Sequence, residues 1–174
     1  MTTIPSPDTD EYSPAFAGYI GHLDRSEDVL AVLADQLERV PEVAGRFGES
    51  RGDYRYAPGK WSVKEVIGHL SDSERIFAYR ALRIARGDET PLAGFDENAY
   101  APETHAEART LADVVDEWRD VRRATLSLFR GLPAAAWTRR GTANSQSMST
   151  RAAAWVIAGH TRHHAGVLQQ RYTG

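Results

Sequence analysis

The stretch WSVKEVIGHLSDSERIFAYRALRIARG, residues 61–87, predicts one long helix and with it an all-α fold. Ser62 is a good N-cap residue, and Glu65, three positions later, completes a capping box. Gly87 supplies a stop signal at the other end. The apolar residues between the two ends recur at the three- and four-residue spacing of a helix face: Val63, Val66, Ile67, Leu70, Phe77, Ala81 and Ile84.

The same periodicity occurs in three further segments, which are residues 26–46, 110–131 and 151–172. Pro41 is expected to kink or restart the first of them. Thr110 or a near neighbour, and Ser149 or Thr150, are the predicted caps of the other two. A shorter helical piece is expected in PAFAGYIGHL, residues 14–23. No segment shows sustained strand alternation with hairpin turns. Four amphipathic helices joined by two long crossing loops therefore predict a four-helix bundle.

The length of 174 residues suits one domain with a hydrophobic core. We expect residues 13–174 to form that domain. The opening MTTIPSPDTDEY, residues 1–12, is polar and acidic rather than basic and then apolar, so we expect a loose arm and no signal peptide. A cytoplasmic location follows as the default expectation.

The composition excludes several kinds of site and partner. The chain has no cysteine, which rules out disulfides, zinc–thiolate sites, iron–sulfur clusters and a protein thiol nucleophile. A formal net charge of −3 gives no electrostatic reason to expect a nucleic acid or an anionic membrane as a partner. The apolar runs are too short to span a bilayer.

Three histidines lie within the last predicted helix, RAAAWVIAGHTRHHAGVLQQRY, residues 151–172. At about 100° per residue, His160 and His164 fall near the middle of its apolar arc, and His163 falls at the edge. Two imidazoles at i and i+4 on one face can bind the same metal ion. The alternative is a core that satisfies both side chains with hydrogen bonds. A metal site would also need a third ligand from elsewhere in the chain.

Two residues of the second predicted helix have ambiguous positions. His69 lies at the rim of the apolar stripe, beside Ile76 and Arg80, and periodicity alone leaves its role open. Glu74 falls inside the apolar arc, where a buried carboxylate needs a partner. The N–H of a metal-bound imidazole or an arginine would supply one. The alternative for Glu74 is an ordinary pair within its helix or contact with solvent.

The segment YRYAPGKWSVKEVIGHLSDSERIFAYRALRIARGDETPLAGFDENAY, followed near the C-terminus by GHTRHHAGVLQQRY, resembles the DinB/YfiT-like superfamily of small bacterial metalloproteins. The resemblance covers about residues 26–172. It implies a four-helix bundle with one divalent metal ion, zinc or nickel, held by His69, His160 and His164. It also implies that His163 is a supporting or structural neighbour, and that the protein is a homodimer.

The resemblance further implies an enzyme that acts on a small molecule. Transfer of a low-molecular-weight thiol to an electrophile is the favoured reaction, and the thiol would be a cosubstrate. Hydrolysis by metal-activated water is the alternative, and a non-catalytic metal-binding stress-response bundle is the second alternative. Three neutral imidazoles leave coordination positions open, which suits both reactions.

Several other residues are expected near the site. Glu74 is the candidate for orienting a metal ligand. Arg80, Arg162 and Arg171 are candidates for binding acidic groups of the thiol or substrate, although each could instead form an ordinary ion pair. The loop ETPLAGFDENAY, residues 89–100, is expected to overhang the pocket, with Tyr100 in contact with ligand. Three tryptophans are interpreted as core residues: Trp61, Trp118 and Trp155.

Overall fold

The computed structural model describes residues 3–172. Four long helices form the bundle; one short helix precedes them, and a second short helix and a β-hairpin lie in the connections between them. In chain order the elements are α1 (Ala17–Ile20), α2 (Val29–Gly45), α3 (Val63–Ala85), α4 (Glu97–Glu103), α5 (Leu111–Arg130), β1 (Arg140–Ala143), β2 (Gln146–Ser149) and α6 (Thr150–Arg171). Both α2 and α3 pack against α5 and α6. The predicted all-α four-helix bundle is confirmed.

The predicted caps of the three later long helices are confirmed. The Ser62 hydroxyl accepts a hydrogen bond from the backbone N–H of Glu65 at 3.1 Å, and the Glu65 carboxylate accepts one from the backbone N–H of Ser62. Thr110 and Ser149 cap α5 and α6 in the same way. These contacts satisfy backbone donors that have no partner inside the helix, so the local sequence is enough to place the helix starts.

The first long helix differs from its predicted form. It begins after Asp28, whose carboxylate accepts from the backbone N–H of Leu30, rather than at Ser26. Pro41 does not restart the helix, which continues to Gly45. The side chains of Val40 and Val43, on either side of the proline, are buried. Their burial offsets the hydrogen bond that proline cannot donate.

The β-hairpin was not predicted from the sequence. β1 and β2 pair in antiparallel register, and the turn residues Asn144 and Ser145 have positive φ angles of 51° and 57°. Each strand has four residues and is only partly buried, so neither shows the alternation that identifies a longer strand. Gly141 packs so closely on Ile84 that a Cβ there would lie 2.6 Å from its Cγ1, which holds the hairpin against α3.

The expectation of a loose N-terminal arm is wrong for residues 3–12, while Met1 and Thr2 lie outside the described residues. Ile4 joins the apolar core, and Glu11 is buried. The Glu11 carboxylate accepts hydrogen bonds from the side chains of Ser149, at 2.7 Å, and Arg151. An ion pair and the burial of apolar surface therefore hold the segment in place. The residues that bind Glu11 lie about 140 positions further along the chain, so the composition of residues 1–12 could not predict these contacts.

The apolar core has two halves, around Trp155 and around Trp118, and both of these tryptophans are fully buried as predicted. A hydrogen-bonded cluster of buried polar side chains joins the four long helices, with one member from each helix. These side chains are Gln36 of α2, Glu74 of α3, Arg122 of α5 and Thr161 of α6. No helix among residues 3–172 is sufficiently long and apolar to span a bilayer.

Candidate metal centre

Three histidines converge where α3 faces α6. His69 is on α3, and His160 and His164 lie one turn apart on α6. The Nε2 atoms of His69 and His160 are 2.9 Å apart, and the three ring centroids are separated by 4.5–4.9 Å. One nitrogen from each ring lies within 4.8 Å of the other two. The structure thus brings the three predicted metal ligands together.

The chemistry of these side chains fits a divalent metal ion. Tetrahedral zinc with bonds of about 2.0–2.1 Å needs ligand nitrogens about 3.3 Å apart. The nitrogens of His69 and His160 are 2.9 Å apart, and those of the other two pairs are no more than 4.8 Å apart. Burial lowers the pKa of His69 to about 4. Burial and the neighbouring imidazoles lower the pKa of His164 to about 3 and hold that of His160 well below its ordinary value. The three rings are therefore neutral near pH 7, and a neutral imidazole is the form that binds metal.

Two aromatic side chains form walls beside the histidines, and neither was predicted to be there. Trp61, interpreted from the sequence as core, is only partly buried, and its ring centroid lies 4.7 Å from that of His69. Tyr19 of α1 packs edge-to-face on His160 at 5.0 Å. The sequence signal for a close contact here was Gly159, immediately before the candidate ligand His160, since a glycine inside a helix usually has a packing or functional reason.

Supporting hydrogen bonds come from residues other than the predicted one. The Ser73 hydroxyl lies 3.4 Å from Nδ1 of His69, one helical turn away on α3. His163 contacts His22, with Nδ1 and Nε2 3.1 Å apart, and its ring lies 5.0 Å from that of His164. His163 is thus beside the three histidines without joining them, as the resemblance implies.

Glu74 does not contact the histidines. Its carboxylate forms a two-pronged ion pair with Arg122, at 2.7 and 2.8 Å, and both side chains are buried. Arg122 also donates to Gln36 at 2.6 Å and to Thr161 at 2.9 Å. Of the two partners expected for a buried carboxylate, the arginine is the one found. The reason is rotation, because five residues turn Glu74 about 140° around the helix from His69.

The other residues predicted to bind the thiol or substrate form contacts that do not involve the three histidines. Arg162 forms an ion pair with Glu27, at 2.7 and 2.8 Å, and Arg171 is exposed at the end of α6. Tyr100 is 48% exposed and packs on Phe95. Arg80 is buried beneath the loop that was expected to overhang the pocket.

The chain is similar to proteins described as metal-dependent hydrolases. A Bacillus pumilus protein named "Putative metal-dependent hydrolase" is 25% identical over 150 residues, which cover 81% of this chain and 83% of that protein. The YfiT protein of Bacillus subtilis, which has the same description, is 29% identical over 92 residues, covering 52% of this chain and 49% of its own length.

A solved structure has the same fold. It is that of YfiT from Bacillus subtilis, described as "a probable metal-dependent hydrolase with an unusual four-helix bundle topology". The TM-score is 0.74 at 19% identity, and the match covers 84% of this chain and 85% of that one. The family model described as the DinB superfamily matches residues 33–168, a range that includes all three histidines. The chain belongs to the DinB superfamily.

Proposed function

We propose that this protein is a metal-dependent enzyme whose His69, His160 and His164 bind one divalent ion, zinc or nickel. The observation that carries the proposal is the convergence of three neutral imidazoles from two helices, of which His69 and His160 are buried and His164 is half-buried. Two ligands from adjacent turns of α6 and a third from α3 make the site depend on the packed bundle. Three protein ligands are the number typical of catalytic zinc, whereas structural zinc has four.

His69, His160 and His164 would hold the ion, which would supply Lewis acidity and lower the pKa of a bound water or thiol. The chain's own residues then restrict access to the site. Trp61 covers the side of His69, and Tyr19 covers the side of His160. These rings leave His164 the most accessible of the three histidines. A substrate would therefore approach between two aromatic walls.

The reaction that we favour is transfer of a low-molecular-weight thiol to an electrophile. Among residues 3–172, no carboxylate oxygen belongs to the cluster of the three histidines, and none forms a hydrogen bond with their rings as a general base would. A thiol needs little help, because its pKa of about 8.5 is already close to neutrality. The chain has no cysteine of its own, so the thiol is a cosubstrate.

Hydrolysis is the second candidate reaction, and the names of the relatives favour it. A metal ion held by three histidines can activate water without a neighbouring carboxylate. The pKa of the bound water must then be lowered much further than the pKa of a bound thiol, because free water is a far weaker acid than a thiol. The two reactions differ in one requirement, since hydrolysis proceeds without any thiol.

The test uses full-length protein purified without an affinity tag and loaded with zinc or nickel. One assay supplies cysteine or glutathione with 1-chloro-2,4-dinitrobenzene and measures the thioether by mass spectrometry. A parallel assay supplies p-nitrophenyl acetate without thiol. We expect thioether formation that requires the metal and is lost in His160→Ala, with circular dichroism showing that the variant is folded. The exposed His105 provides the matched control, His105→Ala, which should retain activity.

Each other result has a definite meaning. Ester hydrolysis without thiol, lost in His160→Ala, would replace thiol transfer by the hydrolase. A bound metal whose removal unfolds the protein, with turnover in neither assay, would favour the non-catalytic metal-binding bundle. Equal activity in wild type and His160→Ala would overturn the metal-dependent enzyme altogether.

A further inference from the structure

A cavity that does not include the metal-site histidines lies between α3 and the segment 90–95. Its volume is about 490 Å³. It is lined by apolar and aromatic side chains together with arginines, including Ile76, Arg80, Leu92, Phe95 and Tyr100.

Arg80 is a buried cation without a carboxylate partner. Its side chain belongs to a residue only 3% exposed, and its Nη2 donates one hydrogen bond, to the carbonyl oxygen of Ala93 at 2.8 Å. The guanidinium carbon lies 5.0 Å from the ring centroid of Phe77 and 5.8 Å from that of Phe95. Burial lowers the pKa of Arg80, and no carboxylate among the described residues opposes this effect. Such an unpaired buried charge is costly to the fold.

Other arginines of this protein have a carboxylate that balances their positive charge. Buried Arg122 has Glu74 as its counterion and further acceptors in Gln36 and Thr161. Two other arginines line the cavity of Arg80. Arg75 pairs with Glu117 at 2.6 Å, and Arg83 pairs with Asp88. Among the arginines that line this cavity in residues 3–172, Arg80 is therefore the one without a carboxylate counterion.

We propose that this cavity binds the carboxylate of a small molecule, with Arg80 as its counterion. A guanidinium presents five N–H donors, and Arg80 uses one of them on Ala93, which leaves donors for a carboxylate. Leu92 and the rings of Phe95 and Tyr100 provide an apolar surface for the rest of the ligand. The ligand class is thus a carboxylic acid with a flat or apolar body.

The position of Arg80 connects this cavity with the histidines. Eleven residues separate His69 from Arg80, which places them about 16 Å apart along α3 and within about 20° of the same face. An elongated acidic substrate could therefore place its reacting end at the histidines and its carboxylate at Arg80. This assignment of the substrate class rests on the proposed function. The binding of a carboxylate at Arg80 does not.

The test is calorimetric titration of the full-length protein with benzoate, benzamide and inorganic phosphate at constant ionic strength. We expect saturable binding of benzoate, and binding of the neutral benzamide at least about tenfold weaker, since a charge-assisted hydrogen bond contributes about that factor. Arg80→Gln should weaken benzoate binding by at least about tenfold. Arg123→Gln removes the same charge at the surface of α5, where Arg123 pairs with Asp120, and should change benzoate binding less than about twofold.

Two further measurements keep the test decisive. If Arg80→Gln does not fold, the proposal depends on wild-type NMR spectra, in which benzoate should shift the backbone amides of Ala93 and Phe95. His69→Ala should bind benzoate as wild type does while losing metal, which separates this site from the metal centre. No saturable binding to wild type, retention of benzoate binding in Arg80→Gln, or binding of phosphate alone would each overturn the proposal.

Discussion

Gly159 of α6 lies directly against the backbone carbonyl of Tyr19. A Cβ atom at position 159 would be 1.9 Å from that oxygen and 2.7 Å from the carbonyl carbon. Only glycine allows α1 to approach α6 this closely, immediately before the candidate ligand His160. The contact places the Tyr19 ring on His160 and His163. The absence of a side chain at position 159 thus allows Tyr19 to pack beside the candidate metal centre.

We expect Gly159→Ala to destabilise the protein. The new methyl group must displace backbone, and forced overpacking costs about 1–3 kcal/mol, more than the gain of up to about 1 kcal/mol from helix propensity. Urea unfolding gives the change in free energy. Displacement of Tyr19 should also weaken metal binding, which a competition titration with a chelator measures.

A second glycine of the same helix is the matched control. A Cβ at Gly166 would have no neighbouring atom within 4 Å, so Gly166→Ala should stabilise the protein by up to about 1 kcal/mol. Equal effects of the two substitutions would show that the contact between positions 159 and 19 does not constrain the fold.

The ion pair between Arg122 and Glu74 predicts a large loss of stability when one partner is neutralised. Both side chains are buried, and Glu74→Gln leaves the guanidinium without its counterion. The expected loss in the free energy of unfolding is about 3–5 kcal/mol. Chemical denaturation measures it. The exposed pair of Arg123 and Asp120 is the control, and Asp120→Asn should cost no more than about 0.5 kcal/mol. Similar losses for the two variants would contradict this role of the buried pair.

Metal binding should stabilise the folded chain. A ligand that binds only the native state adds about 4 kcal/mol when its free concentration is a thousand times its Kd. Differential scanning calorimetry should show a higher Tm with zinc or nickel than after chelation. In His69→Ala, elemental analysis should find the metal lost and calorimetry should find the Tm insensitive to added metal. His105→Ala should bind about one ion per chain, as wild type does. Full metal content in His69→Ala would remove that histidine from the site.

Acid should release the N-terminal segment. Burial acts to raise the pKa of Glu11, but hydrogen bonds from Arg151 and Ser149 outweigh it, and the pKa lies below its ordinary value of 4.5. Because the folded pKa is lowered, the stabilisation is present above pH 4.5 and is lost as the pH falls through the folded value.

Glu11→Gln removes this titration. We expect the free energy of unfolding of the variant to fall less steeply than that of wild type as the pH is lowered below about 5. The exposed Glu38 is the control, and Glu38→Gln should keep the wild-type slope. Identical slopes for Glu11→Gln and wild type would show that the carboxylate of Glu11 does not hold the segment.

Features that depend on neighbours along the chain could be predicted from the sequence. The capping box of Ser62 and Glu65 acts within one turn, and the structure has both of its hydrogen bonds. His160 and His164 share a face because four residues advance a helix by about one turn. Both predictions needed only the geometry of a single helix. The periodicity of the four long segments was sufficient for the fold class on the same grounds.

Features that depend on distant partners were decided by the tertiary structure. Periodicity left His69 at the rim of its helix, and the packing of α3 on α6 is what brings its Nε2 to 2.9 Å from that of His160, 91 residues away. Glu74 is matched by Arg122, 48 residues away. Arg80 has no such carboxylate anywhere in the described range 3–172. A helix wheel gives the direction in which a side chain leaves the axis of its own helix. The residue that the side chain contacts depends on which other helix packs against that face, and only the tertiary structure decides this.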